Sequence, residues 1–97
     1  MDNDAAMLQK MGDALTDLQV KYRASNLADR MALKPSLEEL LQDYSAYQLK
    51  LIKEGTITTD DDLKAMDDIK SDIDEAAKTE ELAAALAKTI AFIATKI

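Results

Sequence analysis

Carboxylates are the side chains in this sequence whose spacing could support chemistry, and they concentrate in one segment. Residues 54–81 hold eleven acidic residues and three lysines, a net charge of −8, whereas the rest of the chain carries +1. Four acidic residues lie within about 60° of one another on an ideal helical wheel: Asp61, Asp68, Asp72 and Glu75. Such a stripe can dock a basic protein or weakly bind a cation, and it is equally typical of the solvated face of an amphipathic helix.

A calcium site is the first specific function to consider, because the GTIT sequence that begins at Gly55, with the aspartates after it, is similar to the second half of an EF-hand loop. With the glycine at position six, positions one and three of that loop would be Lys50 and Ile52, and position twelve would be Asp61. An EF-hand needs oxygen ligands at the early positions and a bidentate glutamate at the last. Lysine and isoleucine supply no oxygen, so we do not expect calcium to bind.

A turn between two helices explains the same segment better. Gly55 can end one helix in a left-handed conformation, and Ile57 can pack back on the core. Thr58 or Thr59 can cap the next helix, whose positive end would carry the run Asp60–Asp62. We therefore interpret residues 55–59 as a structural turn.

The remaining composition argues against an enzyme. The sequence has no histidine and no cysteine, which removes the commonest general base and transition-metal ligand and all thiolate chemistry. It has no glycine-rich phosphate loop, so we expect no catalytic residue, metal or cofactor. The acidic surface disfavours nucleic acid. The acidic N-terminal segment does not resemble a signal peptide, and residues 82–97 are short for a membrane span; we expect a cytoplasmic protein.

The composition predicts a small all-α protein. The chain has 97 residues, 47% of them hydrophobic, with only two glycines and one proline. Few residues are therefore available for tight turns, which favours long helices. We expect residues 1–97 to form one domain, an antiparallel bundle of about four helices.

Changes in the phase of the apolar residues predict where the helices end. A first stripe runs from Met7 to Tyr22 and loses its phase at Ser25–Asn26, so we expect a break or bend there, followed by a short helix or a kinked continuation to Leu33. Pro35 should then end that segment, and Ser36 should cap the next helix with Glu39 in a capping box. The helix that follows should end at Gly55. Its apolar face comprises Leu37, Leu40, Leu41, Tyr44, Tyr47 and Leu51.

The last forty residues carry two further stripes. The first runs from Leu63 to Ala77, and the second, from Leu82 to Ile97, is rotated by roughly 130° on the ideal repeat. Two alternatives explain the rotation at Lys78–Glu80: a break, with Thr79 as a candidate cap, or one long helix that contacts two different partners. We favour a break or kink.

The final helix carries more apolar surface than one core contact requires. Ile90 and Ile93 belong to its main stripe, whereas Phe92 points elsewhere on the wheel. Exposed apolar patches of several hundred Å² usually mark interfaces, and twofold dimers are the commonest way to bury them. We therefore predict a homodimer through Ile90, Phe92 and Ile93.

One family resemblance covers about a quarter of the chain. Residues 28–51, ADRMALKPSLEELLQDYSAYQLKL, resemble the helix–turn–helix of type III secretion needle subunits, in which a Lys-Pro-Ser or similar turn precedes a helix with leucine and tyrosine. The second proline of that turn is absent, and some forty residues follow this segment. We do not assign the chain to that family.

These observations favour a non-enzymatic protein–protein interaction module that self-associates and docks a basic partner through the acidic helix, residues 60–78. Two alternatives belong to other classes. A small inhibitor or decoy, such as an immunity or phage-encoded factor, would cover a basic site on its target. A structural subunit of a secretion or phage assembly would pair head-to-tail through an exposed apolar patch.

Overall fold

A computed structural model describes residues 2–97, which form four α-helices and no strand. The helices are α1 (Asn3–Ala24), α2 (Leu27–Glu54), α3 (Asp60–Glu75) and α4 (Thr79–Ala94). This architecture confirms the predicted four-helix bundle.

Consecutive helices run in opposite directions, but the most extensive packing joins non-consecutive helices, α1 with α3 and α2 with α4. The N-terminal ends of α1 and α3 meet where Asn3 Nδ2 donates to Asp60 Oδ1 at 3.0 Å. Their C-terminal ends meet where Lys21 Nζ donates to the Asp74 carbonyl at 2.6 Å. The two helices of this pair are therefore parallel neighbours, a detail that the sequence did not indicate.

Both predicted breaks are confirmed. The first lies at Ser25–Asn26, where the Asn26 side chain accepts the Asp29 N–H at 2.9 Å and caps α2. The second lies just before α4. Thr79 is not its cap, because it is already the first helical residue; Lys78 holds the cap position, and its N–H donates to Glu81 Oε1 at 3.1 Å.

Pro35 does not end a helix, and Ser36 is not an N-cap, so these two predictions were wrong. Proline inside α2 costs ~3 kcal/mol, because the carbonyl four residues earlier loses its amide donor. That carbonyl belongs to Met31, a residue that is 67% exposed, so water can reach this part of the helix. Leu33 and Leu37 are buried on one continuous stripe, and each contributes ~1.5–3 kcal/mol. Their combined burial outweighs the cost of the proline.

The core is a single cluster to which every helix contributes. Most of it follows the predicted stripes, but Ile97 of the last stripe is 50% exposed and Ala85, outside that stripe, is buried. Aliphatic side chains and methionines supply most of it, with Tyr47 as the one fully buried aromatic residue among those described. The buried members are Met7, Met11, Ala14, Leu15, Leu18, Leu33, Leu37, Leu40, Tyr47, Leu51, Met66, Ile69, Ile73, Leu82, Ala85, Leu86 and Ile93.

Candidate functional site

The four acidic residues of the predicted docking face lie in α3, but their environments differ. Asp61, Asp68 and Glu75 are exposed, and within residues 2–97 none of the three forms an ion pair, although Glu75 accepts the Ser71 hydroxyl at 3.3 Å. Asp72 is partly buried and accepts Lys88 Nζ of α4 at 2.6 Å. Its charge is therefore already balanced within the chain.

Ion pairs also connect α3 to α1. Lys10 Nζ donates to Asp67 at 2.6 Å. Lys70 Nζ bridges Asp17 of α1, at 2.9 Å, and Asp74 of its own helix, at 3.0 Å. The hydrogen bond from Lys70 is the largest influence on the Asp17 carboxyl and lowers its pKa. Acidic residues on the sides of α3 thus hold the helix in place and leave its outer face charged.

The first turn of α3 is fixed by a capping box. Thr59 Oγ1 accepts the Asp62 N–H, and the Asp62 carboxylate accepts the Thr59 N–H, both at 3.1 Å. Asp62 also accepts Lys96 Nζ at 2.5 Å. Burial raises the pKa of the Asp62 carboxyl, but the bonds from Lys96 and Thr59 outweigh burial and leave this pKa below its usual value.

The loop between α2 and α3 forms the predicted turn. Gly55 follows α2 directly with φ 62°, and its N–H donates to the Leu51 carbonyl at 3.2 Å. Thr59 is the N-cap of α3, and Ile57 packs against the core. Lys50 lies inside α2, so its side chain belongs to a helix rather than to a calcium-binding loop.

A carboxylate of α1 holds this loop from the other side. Asp4 Oδ1 accepts the Thr58 N–H at 2.9 Å and the Ile57 N–H at 3.2 Å. Burial raises the pKa of the Asp4 carboxyl, but hydrogen bonds from residues 56–58 outweigh it and lower the pKa. Sequence reasoning missed Asp4, because its partners are more than fifty residues away and no local pattern identifies them.

The three residues predicted to mediate self-association are not equally accessible. Ile93 is 0% exposed and lies in the core, whereas Ile90 and Phe92 are half-buried at its edge. Lys96 Nζ lies 5.3 Å from the centroid of the Phe92 ring and covers part of its face. The largest exposed apolar side chains lie mainly on α2 instead: Leu27, Met31, Leu49 and Ile52.

Among residues 2–97 no helix is both long enough and apolar enough to cross a membrane. In the same range no cluster of three or more acidic side chains is placed to hold a metal ion. Comparisons of the chain with protein-family models, with curated proteins and with solved structures give no match.

Proposed function

We propose that this chain is a non-enzymatic interaction module that docks a basic protein surface on the outer face of α3. The observation that carries the proposal is the distribution of charge on this helix. Asp61, Asp68 and Glu75 remain exposed and without ion pairs in residues 2–97, while Asp67, Asp72 and Asp74 are paired with lysines. A basic partner would supply the missing counter-charges.

The rigidity of α3 supports this proposal. Lys10 of α1 and Lys88 of α4 form ion pairs with carboxylates of α3. Lys70 of α3 pairs with Asp17 of α1, and a capping box fixes the N-terminus of the helix. A preorganised face loses little conformational entropy on binding. Exposed charges of one sign also accelerate encounter with a partner of the opposite charge.

The same face suits the inhibitor or decoy alternative, because covering a basic site on a target requires a rigid acidic surface. The assembly-subunit alternative requires an exposed apolar surface instead, and the exposed side chains of α2, such as Met31 and Ile52, favour it.

The docking proposal is tested with a lysine-rich model peptide, whose affinity is measured by calorimetry at low and moderate salt. Replacing the three free carboxylates together (Asp61→Asn, Asp68→Asn, Glu75→Gln) should weaken binding about tenfold, because each exposed ion pair contributes ~0.2–1 kcal/mol. The matched control removes three exposed carboxylates elsewhere: Asp13→Asn, Glu38→Gln and Glu39→Gln. An equal loss in both variants would show that binding depends on net charge and not on α3.

Self-association is part of this proposal, and it is tested separately. Of the residues predicted to mediate it, Ile90 and Phe92 retain partial exposure. Light scattering between micromolar and millimolar concentrations should show a dimer mass. A monomer mass at every concentration would contradict self-association, but it would not bear on the proposal that α3 docks a basic partner.

A further inference from the structure

A groove of about 190 Å³ lies where the last turn of α1 meets the first turns of α2. Arg30 and Lys34 give its wall positive charge, and Tyr22 forms the side toward α1. Leu27 and Met31, which complete the lining, are 66% and 67% exposed. Among the described residues no acidic side chain lines the groove, although the whole chain carries a net charge of −7.

The two cations of the groove have little counter-charge within the chain. Within residues 2–97 Arg30 forms no ion pair, and its Nε is enclosed by protein without an acceptor. Lys34 has a side chain that is 66% exposed, and its Nζ lies 4.0 Å from the Glu38 carboxylate, which makes a loose pair. An arginine guanidinium is always charged, and its planar fork of donors matches carboxylate groups. The groove therefore offers uncompensated positive charge beside exposed apolar surface.

The complementary surface is the outer face of α3, where Asp61, Asp68 and Glu75 are exposed and form no ion pair within residues 2–97. We propose that the groove binds this face of a second copy of the chain, so that carboxylates of one copy meet Arg30 and Lys34 of the next. The inference rests on the docking function proposed for α3, and it identifies the basic partner as the protein itself.

The arrangement of the helices excludes this contact within one copy. Among the described residues α2 packs against α4 and α1 but not against α3, so α2 and α3 occupy opposite corners of the bundle. The contact therefore joins unlike surfaces of two copies, and each copy keeps one surface of each kind free. Contacts between unlike surfaces extend into rings or open chains. This contact is separate from self-association through α4, so at low salt the assembly should grow beyond a dimer.

The spacing of the charges suits two crossed helices. Arg30 and Lys34 are four residues apart on α2, with Cβ atoms ~6 Å apart, and Asp68 and Glu75 are two turns apart on α3, ~10 Å along its axis. The long side chains of arginine and lysine can diverge to cover this difference. The two exposed aliphatic side chains of the groove would lose contact with water beneath α3, which adds a hydrophobic contribution to that of the ion pairs.

Two variants that each lack one of the surfaces test the contact. The groove variant (Arg30→Gln with Lys34→Gln) keeps the acidic face, and the α3 variant (Asp61→Asn, Asp68→Asn and Glu75→Gln) keeps the groove. Neither should form the contact alone, whereas a mixture should form it. When the groove variant is isotope-labelled, the unlabelled α3 variant should cause saturable amide shifts at residues 60–75 at low salt. About 0.5 M NaCl should abolish these shifts, because salt screens exposed charges.

Two further measurements separate the groove from net charge and from folding effects. Lys34→Gln alone, at an exposed position, should weaken binding to the labelled acidic face about threefold. The matched control, Lys50→Gln with Lys53→Gln, removes the same charge from the other end of α2 and should bind the labelled face as the wild type does. An equal loss in the control and in the groove variant would overturn the assignment of the contact to the groove.

The remaining outcomes distinguish this inference from the docking proposal. An absence of saturable shifts in the mixture would overturn the inference, and binding of the lysine-rich peptide to α3 would show that docking itself stands. In the reverse titration, with the α3 variant labelled, the groove variant should shift residues 22–34 more than oligoglutamate does at equal concentration. Equal shifts with oligoglutamate would overturn the choice of a second copy, because the groove would then accept any acidic chain.

Discussion

Lys96 Nζ lies 2.5 Å from Asp62 Oδ1, and this ion pair ties the residues after α4 to the first turn of α3. The Asp62 side chain is only 12% exposed, so water and salt screen the pair less than they would on the open surface. The same carboxylate closes the capping box with Thr59. Protonation of Asp62 would therefore weaken two connections at once.

Acid should destabilise the protein. The carboxyl pKa values of Asp4, Asp17 and Asp62 are lowered from an ordinary value of 3.8. A lowered pKa in the folded state means that the unfolded chain binds more protons. These carboxylates therefore stabilise the folded protein fully at pH values above the ordinary pKa. The stabilisation is lost as the pH falls through the lowered pKa values of the folded state. We expect the urea midpoint to be level from pH 7 to 5 and to fall below about pH 4.

Asp62→Asn tests how much of the acid destabilisation is due to the Asp62 carboxylate. The variant should be less stable at pH 7 and should lose less stability on acidification. Asp61→Asn, one residue earlier and exposed, is the control and should follow the wild-type profile. An Asp62→Asn profile parallel to wild type would show that this carboxylate does not contribute to acid sensitivity.

Pro35→Ala should stabilise the protein by about 2 kcal/mol. The change restores a backbone hydrogen bond inside α2 and removes a residue that costs a helix ~3 kcal/mol, while the freer unfolded chain takes back ~0.4–1 kcal/mol. Urea unfolding measures the difference. Ser36→Ala is the control, and it should change stability by less than ~0.5 kcal/mol. A loss near ~1 kcal/mol in that control would show that Ser36 acts as a cap.

Ile93→Ala should destabilise the protein by about 2–5 kcal/mol, because it leaves a cavity in the core. Ile52→Ala, at a side chain that is 70% exposed, should change stability by less than ~0.5 kcal/mol. Urea unfolding at several protein concentrations measures both. Similar losses in the two variants would show that the outer face of α2 is buried in an assembly.

Calcium should find no saturable site between Gly55 and Asp61. Lys50 and Ile52 occupy the places of oxygen ligands and lie within α2, and the nearby Asp62 carboxylate is committed to Thr59 and Lys96. Calorimetry with millimolar calcium should record only heats of dilution. A stoichiometric site of micromolar affinity that Asp61→Ala abolishes would contradict the interpretation of this segment as a structural turn.

The sequence predicted the number of helices and their breaks because those signals are local. The phase of the apolar stripe changes at Ser25–Asn26, and it changes again where α4 begins. Pro35 was misinterpreted because the outcome at this residue is not decided locally. Proline disfavours a continuous helix, but the burial of Leu33 and Leu37 favours one, and that burial depends on the rest of the bundle.

The sequence was sufficient to predict the acidic face of α3, but it did not show which of these carboxylates form ion pairs with lysines of other helices. A helical wheel treats Asp72 as solvated, whereas Lys88, sixteen residues later, reaches it across the α3–α4 interface. The contact of Asp4 with the loop before α3 has no sequence signature either, because Asp4 and its partners Ile57 and Thr58 are more than fifty residues apart.

The pairing of α1 with α3 has a consequence for how the chain reaches its native state. Side chains of α1 contact partners 53–57 residues further along, so the α1–α2 hairpin lacks the surface that buries most of α1. Closing such long loops costs entropy before the contacts compensate for it, and a high contact order slows folding. During synthesis on a ribosome, α1 could not bury its apolar face until α3 had been synthesised. If the chain were cut between Gly55 and Thr59, the two fragments would have to find each other in solution before either could fold.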